Sequence, residues 1–149
     1  MNGTKMKIVK VVGIVLVGLV VSGCSANRIS LADTGKVSIQ KHDSGKVKIL
    51  WADVYQKDGK NWAYAVLKQQ AGNSSAMKTH LDIQVLSEEG AVQYEGFSDD
   101  VYVPRNRVGK GPDWKRIRMP LPDELPIQSQ IKVIVHNGQN LKNHKPDKS

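Results

Sequence analysis

The chain holds a single cysteine, Cys24. A lone thiol excludes an intrachain disulfide, so the fold must rest on its own packing. Catalytic signatures are missing as well: there is no Gly-x-Ser-x-Gly elbow, no Ser-x-x-Lys pair, no phosphate-cradling glycine loop and no His-Glu-x-x-His. Acid pairs such as Asp99-Asp100 and Asp123-Glu124 are adjacent in sequence, and on a strand adjacent side chains point to opposite faces, which makes a poor general acid–base dyad. These absences argue against an enzyme, and nothing in the sequence implies a cofactor. The histidines His42, His80, His136 and His144 lie far apart, with no His-x-His or acid-flanked pair of metal-ligand spacing, so surface histidines and no metal are expected. Only a meeting of His80 and His136 with an acid at one end of the fold would bring metal or hydrolytic chemistry back. No internal repeat and no sustained helical period is found.

The longest apolar run, Val11 to Val21, is eleven residues of apolar side chains and glycine, well short of the roughly 20 that a membrane-spanning helix needs. It follows Lys5, Lys7 and Lys10, with no acid among the first 24 residues, which is the charged n-region and h-region of a signal peptide. The stretch Val21-Ser22-Gly23-Cys24 closes it. These four residues resemble the lipobox of bacterial lipoproteins, an aliphatic residue and two small residues before an invariant cysteine. The resemblance implies diacylglyceryl transfer to the Cys24 thiol, cleavage before it, and acylation of the new amino group. Two or more acyl chains, at about 0.8 kcal/mol per buried methylene, would make the membrane attachment effectively permanent. Ser25, where an aspartate would favour inner-membrane retention, resembles the sorting residue of lipoproteins in the outer membrane facing the periplasm of a Gram-negative envelope. The signal segment is thus residues 1–23, and it leaves a mature chain of one domain's size.

Residues 24–46 read as the lipidated cysteine and a polar tether, with Asp33-Thr34-Gly35 and Asp43-Ser44-Gly45 as turn signals, although Val37-Ser38-Ile39-Gln40 alternates like an edge strand. The domain is expected over 47–137. Strands are predicted over 47–57 and 61–69, joined at Asp58-Gly59 in a type I′ hairpin, where both residues need positive φ. The first of these has mixed parity, with Val47, Ile49 and Trp51 on one side and Lys48, Leu50 and Ala52 on the other, as in a strand partly wetted on one face. Leu81-Ile83-Val85 gives the clearest alternation, followed by a turn at Glu88-Glu89-Gly90 and a return through Val92 and Tyr94. Val101–Val103, Arg116–Leu121 and Ile131–Val135 complete about seven short strands. The pattern predicts an all-β fold, a single antiparallel β-sandwich of immunoglobulin-like or transthyretin-like kind. It also loosely resembles small immunoglobulin-like accessory domains of bacteria, with no motif that carries over sites. Residues 138–149 are polar and lysine-rich and are expected to form a disordered basic tail.

Loss of the three signal-peptide lysines lowers the formal charge from +8 to +5. The cluster Arg105, Arg107, Lys110, Lys115, Arg116 and Arg118, opposed only by Asp113, carries that same +5 within fourteen residues. Strand parity turns Ile117, Met119 and Leu121 inward and leaves Trp114, Arg116 and Arg118 on one outer face. An aromatic ring beside guanidinium groups suits lipopolysaccharide phosphates, cell-wall carboxylates or an acidic protein partner. A blander account stands beside it: residues 88–100 carry five acids and no base, and cross-strand ion pairs worth about 0.2 to 1 kcal/mol each would neutralise both runs. Nucleic acid is a poor fit, since no recognition motif occurs. Trp51 and Trp62 read as core or half-buried packing residues. The sequence therefore points to a membrane-anchored, non-catalytic envelope lipoprotein that binds a partner or an anionic polymer, with a structural subunit of a secretion, pilus or conjugation apparatus as the alternative.

Overall fold

A computed structural model describes residues 28–71, 75–105 and 111–138. None of these residues is helical, and ten strands account for most of them: β1 Arg28–Ser30, β2 Val37–His42, β3 Val47–Lys57, β4 Lys60–Gln69, β5 Met77–Thr79, β6 Leu81–Leu86, β7 Val92–Phe97, β8 Val101–Val103, β9 Trp114–Pro120 and β10 Ser129–Val135. Two four-stranded sheets, ordered β1-β3-β4-β9 and β2-β10-β6-β7, form an all-β sandwich, and β5 and β8 add a two-stranded ribbon. One aliphatic core joins the sheets: Val54, Ala65, Leu67 and Ile117 come from the first, and Ile83, Val85, Ile131 and Val133 from the second.

The β3–β4 turn is the hairpin that its sequence demands, with φ of 52° at Asp58 and 75° at Gly59. Along β4, Asn61, Ala63, Ala65, Leu67 and Gln69 are buried while Trp62, Tyr64, Val66 and Lys68 face outward. The two polar members of the buried row sit at the strand's ends and satisfy loop carbonyls. Asn61 Nδ2 donates to Pro122 O and Asp123 O, both at 2.9 Å, and Gln69 Nε2 donates to Ser75 O at 2.9 Å and Val103 O at 2.8 Å. The two NH2 groups thus stand in for the water that burial removes from these carbonyls.

The mixed parity of β3 has a different origin from partial wetting. Ile49 pairs with Leu67 but Trp51 pairs with Val66, so Leu50 is an extra residue bulged out of the ladder. A bulge of one residue reverses the alternation. Ile49 faces the core before it, Ala52 and Val54 face the core after it, and Trp51, Asp53 and Tyr55 move to the outer face beside Val66, Tyr64 and Trp62. Leu50→Ala is accordingly expected to change stability by less than about 0.5 kcal/mol in chemical denaturation, because this half-exposed side chain leaves no cavity.

Two expectations need correction. The segment assigned mostly to a tether is built into both sheets: β1 pairs with β3, and β2 pairs with β10, so the folded unit begins by Arg28. The sandwich is also not wholly antiparallel, since Val37–His42 runs parallel to Ser129–Ile134. β2 joins the side of β10 opposite the one taken by antiparallel β6. The signal segment, the lipobox residues Val21, Ser22 and Gly23, Cys24, and the basic tail beyond Gly138 lie outside the described residues.

Candidate functional site

The outer face of the first sheet gathers most of the aromatic side chains. Register alone places Trp51, Tyr55, Trp62, Tyr64 and Trp114 on it, together with Arg28, Arg116 and Arg118. Each guanidinium lies against a ring. Arg28 Cζ is 3.9 Å from the centroid of Tyr55 and 5.6 Å from that of Tyr64, Arg116 is 4.4 Å from Trp114, and Arg118 is 5.8 Å from Trp62. Trp51 and Tyr64 meet edge to face at 5.3 Å, with Trp51 still 49% exposed. Arg28, Trp51, Tyr64, Arg116 and Arg118 border a shallow open recess of about 410 Å³. An arginine braced on an aromatic ring can present its N–H edge to a ligand, a combination that recognises phosphate or carboxylate in two-pronged fashion. The shared outer face of Trp114, Arg116 and Arg118 is as the strand parity requires. Trp62 is half-buried, as expected, and Trp51 is exposed; both lie on this same surface. Arg105 stands exposed two residues beyond β8, on a different element, and Arg107 is outside the described residues.

The acidic segment does not meet the basic strand as a ladder neighbour. Among the described residues β9 pairs only with β4 in its sheet, whereas the acids of residues 88–100 lie on or near β7 in the other sheet. Glu95 accepts a hydrogen bond from Gln84 at 2.8 Å, and Asp100 pairs with Lys78 at 2.6 Å, raising the lysine's pKa by hydrogen bonding and charge. Asp113, immediately before β9, takes a hydrogen bond from Lys68 at 2.6 Å that lowers its own pKa. Among the described residues no carboxylate lies within ion-pairing distance of Arg116 or Arg118, although Asp99 shares with them a second recess at the β9 edge. Arg28 is differently engaged. It donates to Asp53 Oδ2 at 2.7 Å, while Ser30 Oγ donates to Oδ1 at 2.9 Å, so β1 is fastened to β3 through a buried carboxylate.

A second cluster lies on the outer face of the other sheet. His80 immediately precedes β6, Asp82 lies within it, and His136 immediately follows β10, where its N–H donates to His80 O at 3.2 Å. This continues the ladder that pairs Leu81 with Val135. The imidazoles stack with centroids 4.7 Å apart and planes 8° from parallel. Asp82 Oδ2 lies 2.8 Å from His136 Nε2, and Oδ1 lies 3.6 Å from His80 Nε2. The expectation of surface histidines therefore fails for His80, which is 2% exposed. One sign of the pairing was present in the sequence: on a strand, His80 and Asp82 share a face. His136 joins them only through the β6–β10 register, which sequence spacing does not reveal.

Comparison with family models, curated proteins and solved structures finds no match to this chain. The functional reading therefore rests on its own residues.

Proposed function

We propose that the protein is a lipid-anchored lipoprotein of the bacterial cell envelope whose sandwich is a non-catalytic binding module, holding an anionic envelope polymer on the outer face of its first sheet. The observation that carries this reading is the row of guanidinium groups braced on aromatic rings, with Arg116 and Arg118 lacking an acidic partner among the described residues. Phosphates or carboxylates on a sugar chain would meet the N–H edges, and the rings of Trp51, Tyr64 and Trp114 would offer apolar surface to the sugars. The anchor rests on the four lipobox residues and on the absence of any other role for the lone thiol. Cys24→Ala should prevent incorporation of labelled palmitate and leave the precursor uncleaved; labelled, processed Cys24→Ala protein would refute the assignment.

Binding is tested by co-sedimenting the full lipidated chain, in detergent, with purified lipopolysaccharide and with cell-wall sacculi. Arg116→Ala with Arg118→Ala should abolish a salt-sensitive association, which in the unaltered protein should fade as salt approaches 1 M and the screening length falls to about 3 Å. Unchanged binding by the double variant overturns the assignment. A second reading, a structural subunit of an envelope apparatus, is favoured by one observation. Among the described residues β7 pairs only with β6, and Val92 and Phe97 on this edge strand are 55% and 58% exposed. An edge of that kind accepts a strand from another chain. Isolation of the native complex with a stoichiometric protein crosslinked at Phe97 would favour that reading.

A further inference from the structure

We propose that His80, Asp82 and His136 form a binding site for one divalent first-row transition metal of the zinc type, with a coordination position open to solvent. One ligating atom from each residue already lies within 4.8 Å of the others. Two imidazole nitrogens and a carboxylate make a borderline donor set, which suits zinc, copper or nickel; calcium and magnesium prefer oxygen alone.

Burial points the same way. Asp82 is 8% exposed, and its Oδ1 has no hydrogen-bond partner among the described residues while facing into the cluster. A carboxylate oxygen withdrawn from water costs several kcal/mol unless a cation or donor compensates. A metal between Oδ1, Oδ2 and the imidazoles would supply that compensation.

The scaffold holds the three residues on adjacent, hydrogen-bonded strand ends. Besides the His136 to His80 backbone bond, the Thr79 hydroxyl donates to the His136 carbonyl, and Leu81 N–H donates to Ser98 Oγ at 2.9 Å. Ligand separations must settle near about 3.3 Å for a tetrahedral ion with bonds near 2.0–2.1 Å, the 2.8 Å between Asp82 Oδ2 and His136 Nε2 widening and the longer ones closing, and the stacked rings must open so that both lone pairs converge. His136 can make that turn: its side chain is 32% exposed, whereas that of His80 is fixed at 2%. The exposed side of His136 is also the way in for the ion. Three protein ligands and one water describe the resulting site.

The test uses the full chain in detergent, purified through a histidine-free handle and stripped with chelator. Zinc titrated calorimetrically should bind at one ion per chain, and cobalt as a probe should give the intense visible bands of a tetrahedral site. Zinc should raise the melting temperature of the unaltered protein. His136→Gln, a half-exposed position, should fold normally and weaken zinc binding by at least about tenfold, with His80→Gln in addition removing it. His42→Ala with His144→Ala should bind as the unaltered protein does. The proposal is overturned if the unaltered protein binds no zinc, binds it no more tightly than His136→Gln, or loses it in the His42 and His144 double variant. The Arg116 and Arg118 double variant should keep the metal, so failure of polymer binding and failure of this site are separable.

Discussion

Arg28→Ala is expected to lower stability by about 2–3 kcal/mol, and Asp53→Asn in the same chain should restore a large part of it. Removing one partner of a fully buried ion pair costs about 3–5 kcal/mol because the other charge is left uncompensated. The value here is set lower, because Asp53 keeps the Ser30 hydroxyl and the Arg28 side chain is 38% exposed. The guanidinium also covers the Tyr55 ring, and that packing is not recovered by the amide. A double-mutant cycle in chemical denaturation separates the two contributions: additive losses from Arg28→Ala and Asp53→Asn would show that the charge pair is not what fastens β1. The same substitution would disturb the aromatic recess, which is why Arg116 and Arg118 are the better probes of ligand binding.

Ile83→Ala should be the most damaging truncation, costing about 3–5 kcal/mol of a domain stability expected to be 5–15 kcal/mol. Ile83 is fully buried in the central run of β6, with Val133 of β10 opposite on one side and Gly96 of β7 on the other. Gly96 has no side chain to lean into the space. The Tyr94 hydroxyl already lies where a Cβ at Gly96 would come within 2.6 Å, so that ring is committed. The cavity would stay open, and the cost depends on how little the site can collapse. The measurement is the denaturation midpoint at unchanged slope; a loss under 1 kcal/mol would mean that the sheets close over the gap.

What the sequence disclosed and what it hid divide by the range of the forces involved. The Asp58-Gly59 hairpin and the parity of Arg116 to Met119 were legible because two or three neighbouring residues determine them. The β3 bulge left a trace, the confused alternation around Leu50, but its meaning depended on the partner strand: only the β4 register shows that the parity reverses. The strands at Arg28–Ser30 and Val37–His42 are short and largely polar, and their pairing partners at Lys57–Tyr55 and Ser129–Ile134 supply what their composition lacks. The aromatic face was half visible, since Trp114, Arg116 and Arg118 share one strand. Tyr64, Trp51 and Arg28 join it through three strand pairings, β4 with β9, β3 with β4 and β1 with β3, that no local pattern encodes. The histidine cluster needed a register as well, which made His136 look remote from His80.

The parallel pairing of β2 with β10 also governs when the molecule can fold. β10 is an interior strand of the second sheet, flanked by β2 from early in the chain and β6 from its middle, yet it is the last of the ten described strands in chain order. Until Ser129–Val135 is present, Val37–His42 has no sheet to join and the inner face of β6 lacks Ile131 and Val133. Long-range pairings of this kind raise the contact order and slow the search for the native state. The architecture thus postpones closure of the second sheet until the last of the ten described strands has been made.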